Sequence, residues 1–330
     1  MPRSREGRPE RMDLPDGYGF RAPTLDDLNA VGDVLVADQR EGAEESILDA
    51  DFVRQVWSRP EFDLATDAWV LTDGAGTIVA YGQARREEPD IVGSWGVVQP
   101  EHRGRGIGPW LLDRIEARAS LLLAGVPAPR LRHSVNATDP AAAAMLARRG
   151  LHPIRHFWHM QIDLVQSFDR GPLPEGVEIG GIESGDDLRA VHAVLEEAFA
   201  DDPGDHPGSF DRWIEEETGG PSYDPTLWLV ARDGGGAVGA LAASAGDDGG
   251  WVDWLAVLAS HRGRGIGAGL LRSSFASFAA RGTRRVMVSV DAENVTGATA
   301  VYERVGMRIA NRWDLWERSF ADPRWPTRSA

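Results

Sequence analysis

Apolar positions recur along this chain with two periods, and the period changes at turn-forming residues. The order is clearest in the second half. Residues 177–179 read as a short strand. From 186 to about 199, Leu188, Val191, Val194, Leu195 and Ala198 fall on one helical face. Residues 228–231 read as a strand, and Asp233-Gly234-Gly235-Gly236 as a hairpin turn into 237–243. A further strand, 251–258, leads through a Gly-rich turn to a helix with an apolar stripe of Ile266, Leu270, Leu271, Phe275 and Phe278. Residues 285–290 alternate as a strand, a helix is expected near 298–305, and a strand pair is expected within 307–316. Helices and strands interleave, so the fold class is α/β, with the α+β character of a mixed sheet.

The same order recurs. His102-Arg103-Gly104-Arg105-Gly106-Ile107-Gly108 reappears identically as His261 to Gly267, at an offset of 159 residues. Pro15-Asp16-Gly17 and Pro174-Glu175-Gly176 keep that offset. Asp26-Asp27-Leu28 and Asp186-Asp187-Leu188 differ by 160, and Asn136 and Asn294 by 158. Such a period is too long for a solenoid unit and matches a whole domain. The 330 residues suit two domains at roughly 150 each. We expect a tail at 1–13, a first domain at 14–170 and a second at 171–330, joined at the turn-rich Gly171-Pro172-Leu173-Pro174-Glu175-Gly176.

Composition narrows the chemistry. The 35 basic and 51 acidic residues leave a formal charge of −16. Such a chain repels a phosphate backbone, so no nucleic-acid partner is expected. The absence of Cys excludes disulfides, thiol nucleophiles and thiolate metal sites. All 35 basic residues are Arg, which removes phosphate-binding and Schiff-base lysines. No apolar run reaches the ~18 residues of a membrane span. The first 13 residues carry four Arg without a following apolar segment, which suits a mobile tail rather than a signal peptide. A soluble, cytoplasmic protein with no membrane partner is expected, and no metal motif is present.

The feature that carries chemistry is a strand, then Arg-Gly-Arg-Gly-Ile-Gly, then an amphipathic helix. Glycines let backbone approach a ligand, and the helix start offers unpaired N–H groups and a positive dipole end. Both suit a phosphate or pyrophosphate. Gly263-x-Gly265-x-x-Ala268 also fits a dinucleotide fingerprint in form, but Pro109 breaks it in the first copy. The remaining alternative is a turn that only packs its helix.

Val98-x-Pro100-x-x-Arg103-Gly104-Arg105-Gly106-Ile107-Gly108, and Val257 followed by Arg262 to Gly267 and Leu270, resemble the acyl-CoA pyrophosphate loop of the GNAT acetyltransferase superfamily. Asn294, Tyr302, Gly306 and Met307 are similar to that superfamily's second motif. The doubling is similar to two-domain actinobacterial members of the mycothiol synthase type. The resemblance implies two tandem GNAT-like domains and acetyl-CoA as acyl donor. Strand residues Ala256 and Val257 would pair with the pantetheine arm. Backbone amides of Arg262, Gly263, Arg264, Gly265, Ile266 and Gly267 would hold the pyrophosphate. Asn294 would position the arm, and Tyr302 would protonate the leaving thiolate. In the first copy Val97, Val98, Arg103, Gly104, Arg105, Gly106, Ile107 and Gly108 occupy the cofactor positions.

At the reacting positions the copies differ. Leu146 stands opposite Tyr302, and Ser94 opposite Asp253. Tyr302 reads as a general acid or as core. Asp253 reads as a base with a raised pKa, acting directly or through water, or as a paired strand acid. We therefore expect a degenerate first domain and a catalytic second one. The acidic stretches 196–206 and 215–217 would suit a cationic small-molecule amine acceptor, and equally a solvated acidic surface. Acetylation of a cysteinyl amino-sugar, as in mycothiol synthases, and a non-catalytic acyl-CoA-binding module are the alternatives. Oligomeric state is left open.

Overall fold

The computed structural model describes residues 13–40, 50–59, 61–164, 168–200, 206–219, 223–246, 249–293 and 297–320. Of the expected tail, residues 1–12 lie outside this set. The chain forms two compact units: Met1–Phe157 together with Asn311–Ala330, and Trp158–Ala310.

In the first unit, β1 (Gly19–Arg21) precedes the helices α1 (Leu28–Arg40), α2 (Ala50–Trp57) and α3 (Leu64–Asp67). Strands β2 (Ala68–Thr72), β3 (Ile78–Glu88) and β4 (Ile91–Val98) follow, then α4 (Ile107–Leu122), β5 (Arg130–Asn136) and α5 (Pro140–Arg148). β6 (His152–Asp163) leads into the second half. There the order is β7 (Val177–Gly181), α6 (Gly185–Ala198), α7 (Phe210–Thr218), β8 (Leu229–Asp233), β9 (Gly236–Ala245) and β10 (Gly250–Val257). It closes with α8 (Ile266–Ala280), β11 (Arg285–Asp291), α9 (Ala298–Arg304) and β12 (Arg308–Ser319).

Each unit has a mixed sheet of the same order. Strands run β1-β2-β3-β4-β5-β12 in the first and β7-β8-β9-β10-β11-β6 in the second. β4 pairs in parallel with β5, and β10 with β11. The helix between those parallel strands, α4 or α8, supplies the crossover that parallel pairing demands. Strand sequences explain the burial. In β9, Val238 and Ala240 to Ala243 are all buried, as expected of a central strand covered on both faces.

The closing strands exchange halves. Residues 311–319 of β12, from the end of the chain, belong to the first unit, and 158–163 of β6 to the second. The packing boundary therefore falls elsewhere than the sequence repeat, whose copies join near residue 171. β12 pairs antiparallel with β5 from Trp313 opposite Asn136 to Ser319 opposite Arg130. Charges reinforce this pairing. Arg130 and Arg132 of β5 reach Glu317 at 3.5 and 3.0 Å. Arg318 donates to Glu116 of α4 at 3.2 Å and to the Arg149 carbonyl. Arg149 in turn meets Glu116 at 3.1 Å and Asp113 at 2.6 Å. Burial raises the Glu116 pKa against the pull of Arg318 and Arg149.

One local expectation changes. The strand pair expected within 307–316 is the single strand β12, because no turn interrupts its pairing with β5. The acid-rich region after α6 contains a helix, α7, whose Trp213 is buried. Its acids lie on the turns around that anchor, which masks the helical period in composition.

A testable consequence follows from Arg318, which with Glu116 is one of the few buried charges in the first unit. Arg318→Ala would leave the Glu116 carboxylate without that buried partner, at a cost of about 3–5 kcal/mol. The first unit should then unfold at lower urea concentration than in the parent chain. Adding Glu116→Gln should restore part of the loss. An unchanged unfolding profile for Arg318→Ala would contradict this role.

Candidate active site

The repeated turn has the same geometry in both copies. Gly104 and Gly106 take φ of +73° and +88°, and Gly263 and Gly265 take +77° and +89°. These left-handed values favour glycine. Gly106 and Gly265 are the N-caps of α4 and α8, and neither helix has a side-chain cap. Some other helices have side-chain caps: at α6 Ser184 accepts from Asp187 N–H, and at α5 Asp139 accepts from Ala141 and Ala142. The first intrahelical bonds run from Gly269 to Gly265 and from Trp110 to Gly106. Ahead of them stand the N–H groups of Ile266, Gly267 and Ala268 in the second unit, and of Ile107 and Gly108 in the first. Pro109 has no N–H, so the first turn offers one donor fewer.

The arginines of the turn brace it. Arg262 Nε donates to the Val257 carbonyl at 3.0 Å, and Arg103 Nε to that of Val98 at 3.2 Å. Arg103 also pairs with Asp38 at 2.8 Å, and Arg262 reaches the Ala198 carbonyl at 3.3 Å. Arg264 holds Asp233 at 2.6 Å, and Arg105 donates to the Tyr18 hydroxyl at 3.3 Å. The guanidinium groups thus fold back on the scaffold while the amides stay available.

Beside each turn two parallel strands part. β4 and β5 pair from Ile91 opposite Arg130 to Trp95 opposite Ser134, and Gly96 to Val98 continue without β5. β10 and β11 pair only from Gly250 opposite Val286 to Val252 opposite Val288. In the first unit this opening forms a cavity of about 430 Å³. Val97, Val98, Arg103, Gly104, Gly106 and Gly108 line it, with His133 and Asn136 from β5. Asn136 is buried, and its side-chain oxygen accepts from the Thr138 N–H and hydroxyl at 3.0 and 2.8 Å. Its repeat counterpart Asn294 lies outside the described residues.

In the second unit Asp253 sits where β10 changes register against β9, between Val252 and Trp254. That bulge breaks the strict alternation that would place Asp253 on the face of Leu255 and Val257. Ser94, its counterpart, lies in continuous register opposite Ala84. Asp253 is exposed, and its carboxyl lies beside Ser244 and within the field of Glu217. Its pKa is pushed up to about 7, first by desolvation and then by the charge of Glu217, against the Ser244 hydroxyl bond. Ser244 Oγ donates to Asp253 Oδ1 at 3.2 Å. Glu217 accepts from the Trp254 indole at 2.9 Å, and Phe199 stands edge-on to Trp254 at 5.6 Å.

Tyr302 is 5% exposed and packs with the core of the second unit. Burial raises its pKa, so the phenol keeps its proton at neutral pH. Among the described residues its hydroxyl has no hydrogen-bond partner. Gly267 links the parts: a Cβ there would lie 3.6 Å from Val301 of α9 and 3.7 Å from Val257 of β10. Leu146, the counterpart of Tyr302, is fully buried. The sequence singles out the acids 215–217 only as a group, and the structure selects Glu217. His133, alternating with Leu131 and Val135, could be read from sequence as a buried histidine.

Comparison with known proteins agrees with this geometry. Residues 189–307 match the model of the acetyltransferase (GNAT) family. A mycothiol acetyltransferase of Cellulomonas flavigena is 32% identical over 254 residues, covering 72% of this chain and 71% of that protein. One from Thermobispora bispora is 33% identical over 226 residues, covering 66% and 72%. The crystal structure of a GCN5-related N-acetyltransferase from Sphaerobacter thermophilus superposes with a TM-score of 0.79 at 31% identity, over 93% of this chain and 97% of that one. A tandem GNAT protein from the clavulanic acid biosynthesis pathway shares the fold, with a TM-score of 0.65 at 19% identity over 92% and 98%. With its two mixed sheets, each opened beside an identical glycine turn, the chain belongs to the GNAT family as a tandem N-acetyltransferase.

Proposed function

We propose that the second unit transfers an acetyl group from acetyl-CoA to the amine of a small molecule, while the first unit holds CoA without turning it over. The observation that carries this reading is the difference between equivalent positions. The second unit has Asp253 at a bulge and a protonated Tyr302, whereas the first has Ser94 in regular register and Leu146.

The glycine turns fit the donor. Free amides at a helix start suit a pyrophosphate, and the parted strand ends leave backbone groups for an extended arm. The donor supplies an activated acyl carbon, and the residues of this chain handle the protons. Asp253 takes the proton from the attacking amine, directly or through a water, as the C–N bond forms. When the C–S bond breaks, the Tyr302 hydroxyl gives its proton to the sulfur. Raised pKa values serve both roles: a base near 7 can accept a proton at neutral pH, and a buried phenol stays a donor. Asp253 and Glu217 together favour a cationic acceptor, with Trp254 and Phe199 forming an aromatic wall beside them. A mycothiol-type amine is the second reading, favoured by the named relatives.

Charge introduced at the second turn should expel the donor. Gly265 at φ +89° cannot carry a side chain without strain, so Gly267 is the cleaner position. Its backbone is helical, and its Cβ direction lies between Val301 and Val257. Gly267→Glu should abolish acetyl transfer in a folded chain, and calorimetry should show loss of one CoA equivalent. Retained activity would remove the donor from this turn.

Tyr302→Phe keeps the ring and its packing. It should lower kcat by about 10²–10⁴ while CoA affinity holds. Full activity would reject Tyr302 as the acid.

Asp253 must be ionised to act as base, so kcat/KM should rise with pH below about 7 and level off above it. Glu217→Gln removes a negative charge that raises this pKa, so the rising limb should move to lower pH. A limb that stays in place in Glu217→Gln would assign it to another group.

A further inference from the structure

The floor of the first unit's cleft carries a polar pair that the proposed chemistry does not use. Ser94 of β4 and His133 of β5 face each other one rung below Trp95 and Ser134, the last pair before the strands part. Ser94 Oγ lies 2.7 Å from the Arg132 carbonyl and 2.8 Å from His133 Nδ1. A carbonyl can only accept, so the single hydroxyl proton points to Arg132. The hydroxyl then accepts from His133, which places the imidazole proton on Nδ1. Burial pushes the His133 pKa down to about 4, so the ring is neutral. Nε2 therefore carries a lone pair, and among the described residues it has no partner. His133 is 5% exposed, and it lines the cavity.

The cavity has two chemically distinct ends. At the ends of the strands lie Arg103, Gly104, Gly106 and Gly108, with the free amides of α4. From Val98 to the level of Ser94 is four strand residues, about 13 Å. A ligand anchored by an anion at the turn, with an extended arm along β4, brings its far end to His133. There the Nε2 lone pair of His133 offers an acceptor.

We infer that His133 makes the first unit's cleft selective for the free thiol of CoA over its acyl thioester. This inference rests on the reading of that cleft as a CoA site. A thiol can give its hydrogen to Nε2. A thioester has no such hydrogen and sets a carbonyl oxygen and a methyl group against the Nε2 lone pair, which it covers without giving it a donor. The first unit thereby retains the product of the reaction, and its occupancy follows the ratio of CoA to acetyl-CoA.

The test uses the full chain carrying Gly267→Glu, so that binding reports on the first unit. Calorimetry compares CoA, acetyl-CoA and desulfo-CoA, which lacks both the thiol and the acyl group. CoA should bind about 5- to 20-fold more tightly than either of the others. His133→Leu should remove the preference, and Ser94→Ala, which frees the ring to carry its proton on either nitrogen, should weaken it. Equal affinity for all three ligands would overturn the inference and leave the CoA site intact. A desulfo-CoA affinity equal to that of CoA, with acetyl-CoA alone excluded, would also overturn it by showing that size decides. No binding of any of the three would overturn the reading of the first cleft as a CoA site, and the inference with it.

Discussion

A helix that begins on a left-handed glycine has no side chain to cap it. In both units that condition sets the rest of the site. A serine or aspartate at Gly106 or Gly265 would occupy the first N–H groups of α4 or α8, as Asp139 does for α5. The glycine leaves those donors to a ligand, and the helix dipole favours an anion there. Holding such a turn open needs other contacts. Arg103 and Arg262 provide them by bonding back to the carbonyls of Val98 and Val257, the last residues of the preceding strands. The same strand ends that receive these bonds have parted from their parallel neighbours. Anion donors and open strand edge are thus fixed together by one local motif, which explains why it is kept whole in both copies.

The two units then diverge by single residues. Ala268 contributes an N–H that Pro109 cannot. A bulge at Asp253 turns a carboxyl toward Ser244 and Glu217, whereas regular register at Ser94 keeps its hydroxyl on Arg132 and His133. These changes are small in sequence and large in chemistry. One opening gains a carboxyl whose pKa is pushed up to about 7, and the other gains a neutral imidazole with a lone pair on Nε2. Neither change disturbs the strand order, because the sheets and their hydrophobic neighbours are specified elsewhere.

Much of this was legible in the chain before its folding was known. The helix after β7 follows from Leu188, Val191, Val194 and Leu195, whose spacing admits no other element. The strand–turn–helix unit follows from glycines placed between an apolar run and a helical stripe. Asp253 could be named as a candidate, but its setting could not, because a bulge is decided by pairing with β9 rather than by local propensity. The exchange of β6 and β12 was equally hidden. Both strands look alike to any local pattern, and the pairing with β5, reinforced by the partners of Arg318 and Glu317, reveals which sheet β12 completes. His133 shows the same limit: alternation marks it as buried, while its free nitrogen depends on Ser94, 39 residues away.

The central claim is that uncapped amides at the start of α8 hold the acyl donor. Hydrogen exchange followed by mass spectrometry reads those amides directly. On addition of acetyl-CoA, peptides spanning residues 262–269 should exchange more slowly, with the effect centred on Ile266, Gly267 and Ala268. Unchanged exchange in that segment at saturating donor, with protection appearing only elsewhere in the chain, would contradict the account.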